Sequence, residues 1–465
     1  MINLISICNN SFTGTVSSSI NYLKQFLEDR GHETTCYDYF YTLPNPVFIR
    51  PDHVMEMNII PEFVKMYKNW KKNLPIIHNI ELSQIDQIVL KDLFSDLKYM
   101  KGNIFGFQVS TVNLGYSIIA AMKIRQMYKD SIIVFGGYHM SLGLENKVAK
   151  LLLKSGVIDC AVRDDGSEPM LKIANNDYEE IMSGKFSVDI PHPKYTKNDV
   201  IETNPVFPSV SSYGCPFKCF FCASKRDNVF GDLGSFRDHL LHCKDLGFKG
   251  TEINDDNLNI TLSRAMEIAD IMCDVNFDYW TGWANQKNIN NELMEKFHLS
   301  NCKVLMIGIE CFSASVAENM GKERIIKDVM NTIDIMVKHE ILPCMTLITS
   351  MPGETEEEYE FTLKTTIEIR KKYGDKVIFV PSIFQMYPGS DTYNNPEKFG
   401  ISFEYWDGNI LPEFGEIIET IPKTFSVGIS NEKIMERWKQ LNAESYSKRI
   451  IIPYSKSKQK RKLIR

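Results

Sequence analysis

Short apolar runs alternate with amphipathic stretches through the first ~165 residues, the cadence of strands and helices that build a parallel sheet. Asn3 to Cys8 reads as a first strand, and Ser17 to Asp29 carries helical periodicity ended by Gly31. Thr34 to Phe40, Ile104 to Ser110, Ser131 to Phe135 and Asp159 to Arg163 follow as strands, and Gly136-Gly137 stops the fourth. About sixty residues, 41–102, separate the second strand from the third, far more than such a connection needs. Two helices are predicted inside that insert, near Pro61 to Lys72 and Leu82 to Lys98.

The stretch 183–205 is polar and proline-containing and reads as a linker. Beyond it strands recur at Pro208 to Tyr213, Gly250 to Asn254, Tyr279 to Ala284, Val304 to Gly308, Cys344 to Thr349 and Val377 to Gln385. Gaps of roughly twenty-five to forty residues leave room for a helix each, the cadence of a (β/α) barrel with six repeats. From about Lys398 the pattern weakens, leaving one clear helix at Asn431 to Ser447. The expected architecture is α/β. A doubly wound, Rossmann-like domain spans 1–182 with its insert at 41–102, and the linker follows at 183–205. A partial (β/α)6 TIM-like barrel covers 206–397, and a C-terminal helical extension with a basic tail covers 398–465.

Composition narrows the class. Hydrophobic residues at 43% and charged residues at 24% of 465 positions belong to a globular protein with more than one core. A net charge of -6 gives no electrostatic case for a nucleic-acid partner. Lys456, Lys458, Lys460, Arg461, Lys462 and Arg465 crowd the tail, where a solvated, frayed terminus is expected. Met1 to Ser11 reads as a core strand and not a signal peptide, and no apolar run approaches the ~18 residues that span a bilayer. The expectation is a cytoplasmic protein with no membrane partner. Of eleven cysteines, three form a tight cluster and the rest scatter, which suits a thiolate-ligated metal in a reducing compartment.

That cluster is Cys215-Pro216-Phe217-Lys218-Cys219-Phe220-Phe221-Cys222, spaced C-x3-C-x2-C directly after the first barrel strand. Active-site loops of such barrels lie at that end of the strands. Three thiolates can each bind one iron of a cubane, leaving the fourth iron open to substrate atoms. A zinc site or an electron-transfer cluster would want a fourth ligand nearby, and the next cysteine, Cys243, falls in a predicted helix.

The motif resembles that of the radical S-adenosylmethionine superfamily, in which an aromatic residue, here Phe221, precedes the third cysteine. The resemblance implies a four-iron four-sulfur cluster on Cys215, Cys219 and Cys222 whose open iron chelates S-adenosylmethionine. An electron from a flavodoxin- or ferredoxin-type donor then cleaves it to methionine and a 5′-deoxyadenosyl radical. By the same resemblance Phe221, Asp255, Asp256 and Glu310 contact S-adenosylmethionine, the aspartates at its amino group and Glu310 at its ribose. The aspartates also suit helix caps, and Glu310 suits a salt bridge. Met351-Pro352-Gly353-Glu354-Thr355 and Tyr387-Pro388-Gly389-Ser390 match turns of one branch of the superfamily. Two departures stand out: Ser350 replaces a glycine, and Ala284-Asn285-Gln286 replaces a Glu-x-Arg pair.

That branch commonly carries a cobalamin-binding domain before the barrel. Its pattern maps onto Asn9-Asn10-Ser11-Phe12-Thr13-Gly14, Ser110-Thr111-Val112 and Gly136-Gly137. The implied cobalamin contacts are Ser11, Gly14, Ser110, Gly136 and Gly137. Ser11 stands where a histidine would ligate cobalt, so no protein nitrogen is expected on the metal. A degenerate domain that binds nothing, or binds substrate, is the alternative, since doubly wound folds often place glycine there. The implied activity is cobalamin-dependent methylation of an unactivated carbon on a small-molecule or peptide substrate. A non-methylating rearrangement, cyclisation or oxidation is the rival. The substrate itself is not encoded in any motif.

Overall fold

A computed structural model of the protein describes residues 1–7, 18–40, 59–78, 84–110, 113–141, 146–202, 205–224, 226–322, 326–445 and 461–464. In β1 (Ile2–Ile7), Ile2 and Leu4 enter one apolar cluster while Ile5 and Ile7 enter another, so both faces of the strand are covered. Its partners are β2 (Thr34–Phe40), β3 (Ile104–Gln108), β4 (Ile132–Gly136), β5 (Cys160–Asp164) and β6 (Ile181–Gly184). They line up as β2-β1-β3-β4-β5-β6, all parallel. Strand order reverses between β1 and β3, and such a switch point opens a crevice at the carboxyl ends of the strands.

Two helices, Ile59–Lys71 and Gln84–Leu97, fall within the long insert as expected and pack on helix Leu114–Met127. Their apolar side chains also meet the C-terminal extension. Phe414 sets its ring edge-on to Tyr67 at 5.4 Å, and Lys68 Nζ donates to the Ile410 carbonyl at 3.1 Å. The insert and residues 401–425 thus share one apolar core with the first sheet.

The second sheet is a TIM-like partial barrel. It is built from β7 (Val206–Ser209) and, after a hairpin of β8 (Ser212–Cys215) and β9 (Arg226–Phe230), from β10 (Gly250–Ile253) and β11 (Tyr279–Ala284). It continues with β12 (Cys302–Glu310), β13 (Leu342–Thr349) and β14 (Ile378–Ile383). All pairs are parallel in the order β7-β10-β11-β12-β13-β14, and the two end strands do not meet. Met345 and Leu347 of β13 face the helical layer, while Cys344, Thr346 and Ile348 alternate with them on the half-buried inner side.

Three expectations change. The first barrel strand, expected as one piece over 208–213, breaks after Ser209, and Ser212–Cys215 pairs antiparallel with β9 instead. The stretch read as linker contributes β6 at its start, a four-residue edge strand too short for its alternation of exposed and half-buried positions to stand out. A Cβ on Gly184 would collide with the Asp165 carbonyl, so that edge approaches closely. Finally, Arg461–Ile464 pairs antiparallel with β2, where a frayed tail was expected; the backbone ladder there covers an otherwise open sheet edge.

Helix Asn431–Ser445 lies against β14, and Trp438 Nε1 donates to the Pro381 carbonyl at 3.2 Å. From it Arg437, 2% exposed, reaches Glu354 at 3.3 Å and Glu356 at 2.8 Å. Glu354 also accepts the Ser350 backbone N–H at 2.7 Å, closing the turn after β13. Ser350 adopts φ +61, so the glycine-type backbone persists without glycine, at a cost of about 1–2 kcal/mol. Burial pushes the Glu354 carboxyl up to about 7, against the pull of the Ser350 N–H and Arg437. The fold therefore favours protonated Glu354, and that stability is lost as pH rises through about 7. Melting temperatures of the protein relative to Glu354→Gln should fall between pH 5.5 and 8. Parallel curves would contradict this account of the turn.

Candidate functional site

Why the chain leaves the barrel after Ser209 is explained by one carboxylate. Asp255, 2% exposed at the end of β10, accepts Ser211 N–H at 2.7 Å and Ser211 Oγ at 2.6 Å. It accepts Ser212 N–H at 3.1 Å and Ser212 Oγ at 2.7 Å as well. Burial raises its pKa, and these hydrogen bonds pull the other way. Arg264 ties the same corner, donating to the Ser211 carbonyl at 2.9 Å and the Gly231 carbonyl at 2.7 Å. With two N–H and two hydroxyl donors directed at it, Asp255 holds the entry to the cysteine loop. Asp256, exposed, accepts the Gly214 N–H at 2.8 Å and keeps its second oxygen available.

The loop between β8 and β9 carries all three cysteines. Phe220 is gripped through both backbone groups: its N–H donates to the Met320 carbonyl at 3.0 Å, and its carbonyl accepts Thr392 N–H at 3.1 Å. The latter contact comes from the Tyr-Pro-Gly-Ser turn, whose Ser390 caps the helix starting at Asp391. Gly321, at φ +74, must lack a Cβ, since one would sit 2.7 Å from the Lys218 carbonyl. Each sulfur faces a positive pole. Ser224 N–H donates to Cys222 Sγ at 3.3 Å, the Phe217 N–H and the Asn257 amide face Cys215, and the Lys322 ammonium lies near Cys219. Burial raises the Cys215 and Cys219 thiols first of all, and the neighbouring cysteines raise them further. Cys243 is buried in helix Leu233–Leu246 at the barrel's outer core and offers no fourth ligand. Among the described residues no three His, Cys, Asp or Glu side chains converge as ligands of a single metal ion. Hydrogen-bond donors at Cys215 and Cys222 and the Lys322 charge near Cys219 fit a thiolate-held, net-negative cluster, whose potential such groups tune.

Opposite the loop, Glu310 ends β12 at φ +69 after a register shift, so its side chain folds back over Gly308. A Cβ on Gly308 would collide with Glu310 Oε1 and lie 3.2 Å from Lys322 Nζ, which accounts for the glycine. Lys322 pairs with Glu310 at 2.5 Å and donates to the Gly308 carbonyl at 3.2 Å, and Thr346 Oγ1 donates to Glu310 Oε2 at 3.1 Å. The salt bridge foreseen as one role of Glu310 is present. Lone pairs remain on the carboxylate for hydroxyl donors. Phe221 packs half-buried beneath, its ring 5.4 Å from Lys322 Nζ. Lys322 was missed from sequence, because no motif singled it out and only the fold brings it back to Glu310 across a short helix.

A second concavity lies at the first sheet. A cavity of about 210 Å³ is lined by Leu4, Gly106, Gly136, Gly137, Met170 and Tyr22 from that side, by Tyr213 of the cluster hairpin and by Val210 just before it. Gly106 keeps it open, since a Cβ there would come within 3.0 Å of Leu4 and 3.3 Å of Met170. The Tyr22 hydroxyl, buried beside the Val210 backbone, makes no hydrogen bond of ordinary geometry. Gly136 and Gly137 line this cavity and Ser110 does not, its backbone N–H being taken by Asn113 Oδ1 at 2.8 Å. Ser11 and Gly14 lie outside the described residues.

Residues 209–366 match the model of the radical SAM superfamily. The chain carries a radical S-adenosylmethionine domain, and proteins with that domain use S-adenosylmethionine and a four-iron four-sulfur cluster. An uncharacterized methyltransferase of Pyrococcus horikoshii is 25% identical over 249 residues, covering 50% of this chain and 51% of the relative. The chain thus spans about half the length of that curated relative. Among solved structures, the radical S-adenosylmethionine methyltransferase TsrM of Kitasatospora setae, with cobalamin and a four-iron four-sulfur cluster, superposes with TM-score 0.64. It is 13% identical over 95% of this chain and 90% of that one. The cobalamin-dependent radical enzyme OxsB gives TM-score 0.57 at 13% identity, over 86% of this chain and 55% of its own. At these identities the likeness is one of fold. Among the described residues no helix is long and apolar enough to cross a membrane.

The Asp255 geometry is testable. Asp255→Ala removes four hydrogen bonds from a buried corner and should cost about 3 kcal/mol of stability. Iron content after anaerobic reconstitution should fall with it. Retained iron with weakened S-adenosylmethionine binding alone would instead make Asp255 a ligand contact.

Proposed function

We propose that the protein methylates an unactivated carbon of a small-molecule substrate, using a 5′-deoxyadenosyl radical and cobalamin. The observation that carries this is the cavity shared by the two sheets, in which Gly106, Gly136 and Gly137 face the hairpin that bears Cys215. Its lining fits a flat ring and its sugar: glycines admit close approach, and the buried Tyr22 hydroxyl awaits a partner. The parallel order of the first sheet supports reading residues 1–182 as a Rossmann-like cobalamin domain, as does the likeness in fold to TsrM and OxsB.

When bound, the cluster supplies the electron that cleaves S-adenosylmethionine, and cobalamin carries the methyl group. The chain's own residues position and exclude. Cys215, Cys219 and Cys222 hold the cluster, and Phe217, Ser224 and Asn257 donate to its sulfurs. Asp256 offers its free oxygen to the amino group of S-adenosylmethionine, Phe221 packs beneath it, and Glu310 offers its remaining lone pairs to the ribose hydroxyls. The inner side of the barrel, with Trp283 exposed on β11 and Met306 beside it in register, forms an apolar wall for substrate. A flavodoxin- or ferredoxin-type protein delivers the electron.

Protein produced with cobalamin should keep corrin absorption through gel filtration. A Cβ on Gly136 meets only ordinary contacts, 3.7 Å from Val162, so Gly136→Leu should fill the cavity without unfolding the sheet. Loss of corrin with unchanged iron content and melting temperature is expected. Absence of corrin from the unsubstituted protein, or full retention in the variant, would contradict the proposal.

A further inference from the structure

We propose that Lys322 is a positioning charge for the cluster, held against the cysteine loop by Glu310 so that the pair sets the cluster's reduction potential. The inference rests on the cluster assignment above and deepens it. Both side chains are largely shielded, at 13% exposure for Lys322 and 9% for Glu310. Lys322 cannot drift, since its ammonium is tied to Glu310 at 2.5 Å and to the Gly308 carbonyl at 3.2 Å. Its backbone follows Gly321, which touches Lys218, and its ammonium lies 5.4 Å from the ring of Phe221, between the second and third cysteines.

Two opposite charges at such a place act with opposite sign on an added electron. A fixed cation in a shielded site stabilises the reduced, more negative cluster and raises its potential, and a fixed anion lowers it. Lys398 provides an internal comparison. Its ammonium is 5.5 Å from the ring of Phe220 in the same loop, but the side chain is exposed and its charge is screened.

The test is a dye-mediated redox titration, followed by electron paramagnetic resonance, of anaerobically reconstituted protein without S-adenosylmethionine. Lys322→Met should shift the midpoint to more negative values and Glu310→Gln to more positive ones. Lys322→Arg should restore the original value, and Lys398→Met should leave it unmoved. Should Lys322→Met fail to assemble a cluster, the direction of the Glu310→Gln shift decides. A midpoint that ignores both substitutions, or moves the same way in both, overturns the inference alone. A parent protein that assembles no cluster overturns the proposed function and this inference with it.

Discussion

A buried carboxylate, Asp255, takes hydrogen bonds from both backbone and hydroxyl of two consecutive serines, and the cysteine loop begins where those serines end. A parallel barrel strand would otherwise run on toward its helix. Held at Ser211 and Ser212, the chain turns outward, forms the β8–β9 hairpin, and presents Cys215 at its tip. Everything proposed for the site depends on that turn. Tyr213 of the hairpin and Val210 just before it line the cavity at the first sheet, so the same carboxylate that places the cluster also closes one wall of that cavity.

The loop is then fixed from three directions. The end of helix Ala314–Asn319 supplies the Met320 carbonyl and Gly321, the turn after β14 supplies the Thr392 N–H, and β10 supplies Asp256 and Asn257. Each anchor sits at the carboxyl end of the barrel, where a connection can vary without disturbing the sheet. Two residues there, Glu310 and Ser350, adopt the left-handed conformation that glycine favours. In Glu310 that conformation folds the carboxylate over Gly308 to meet Lys322. In Ser350 it lets the backbone N–H meet Glu354, itself braced by Arg437 from the C-terminal helix.

Much of this was legible in the sequence because it obeys short-range rules. Cys215, Cys219 and Cys222 are spaced for a cubane, and the strands β10 to β14 recur at intervals that leave room for a helix each. The insert helices also carry a clear apolar stripe. What escaped has a long-range cause. β6 is a four-residue edge strand, too short for a period to stand out, and the pairing of Arg461–Ile464 with β2 joins segments far apart in the chain. Asp255 was read for its ligand chemistry, yet serines more than forty residues earlier donate to it. Lys322 belongs to the site only because a short helix returns the chain to Glu310.

The most direct test of the account is anaerobic reconstitution of the protein beside Cys219→Ala, with iron, sulfide and 5′-deoxyadenosine measured in both. The account predicts about four irons per chain and cleavage of S-adenosylmethionine in the first, with both lost in the second. Full cleavage by Cys219→Ala, or no cluster in the parent, would contradict it.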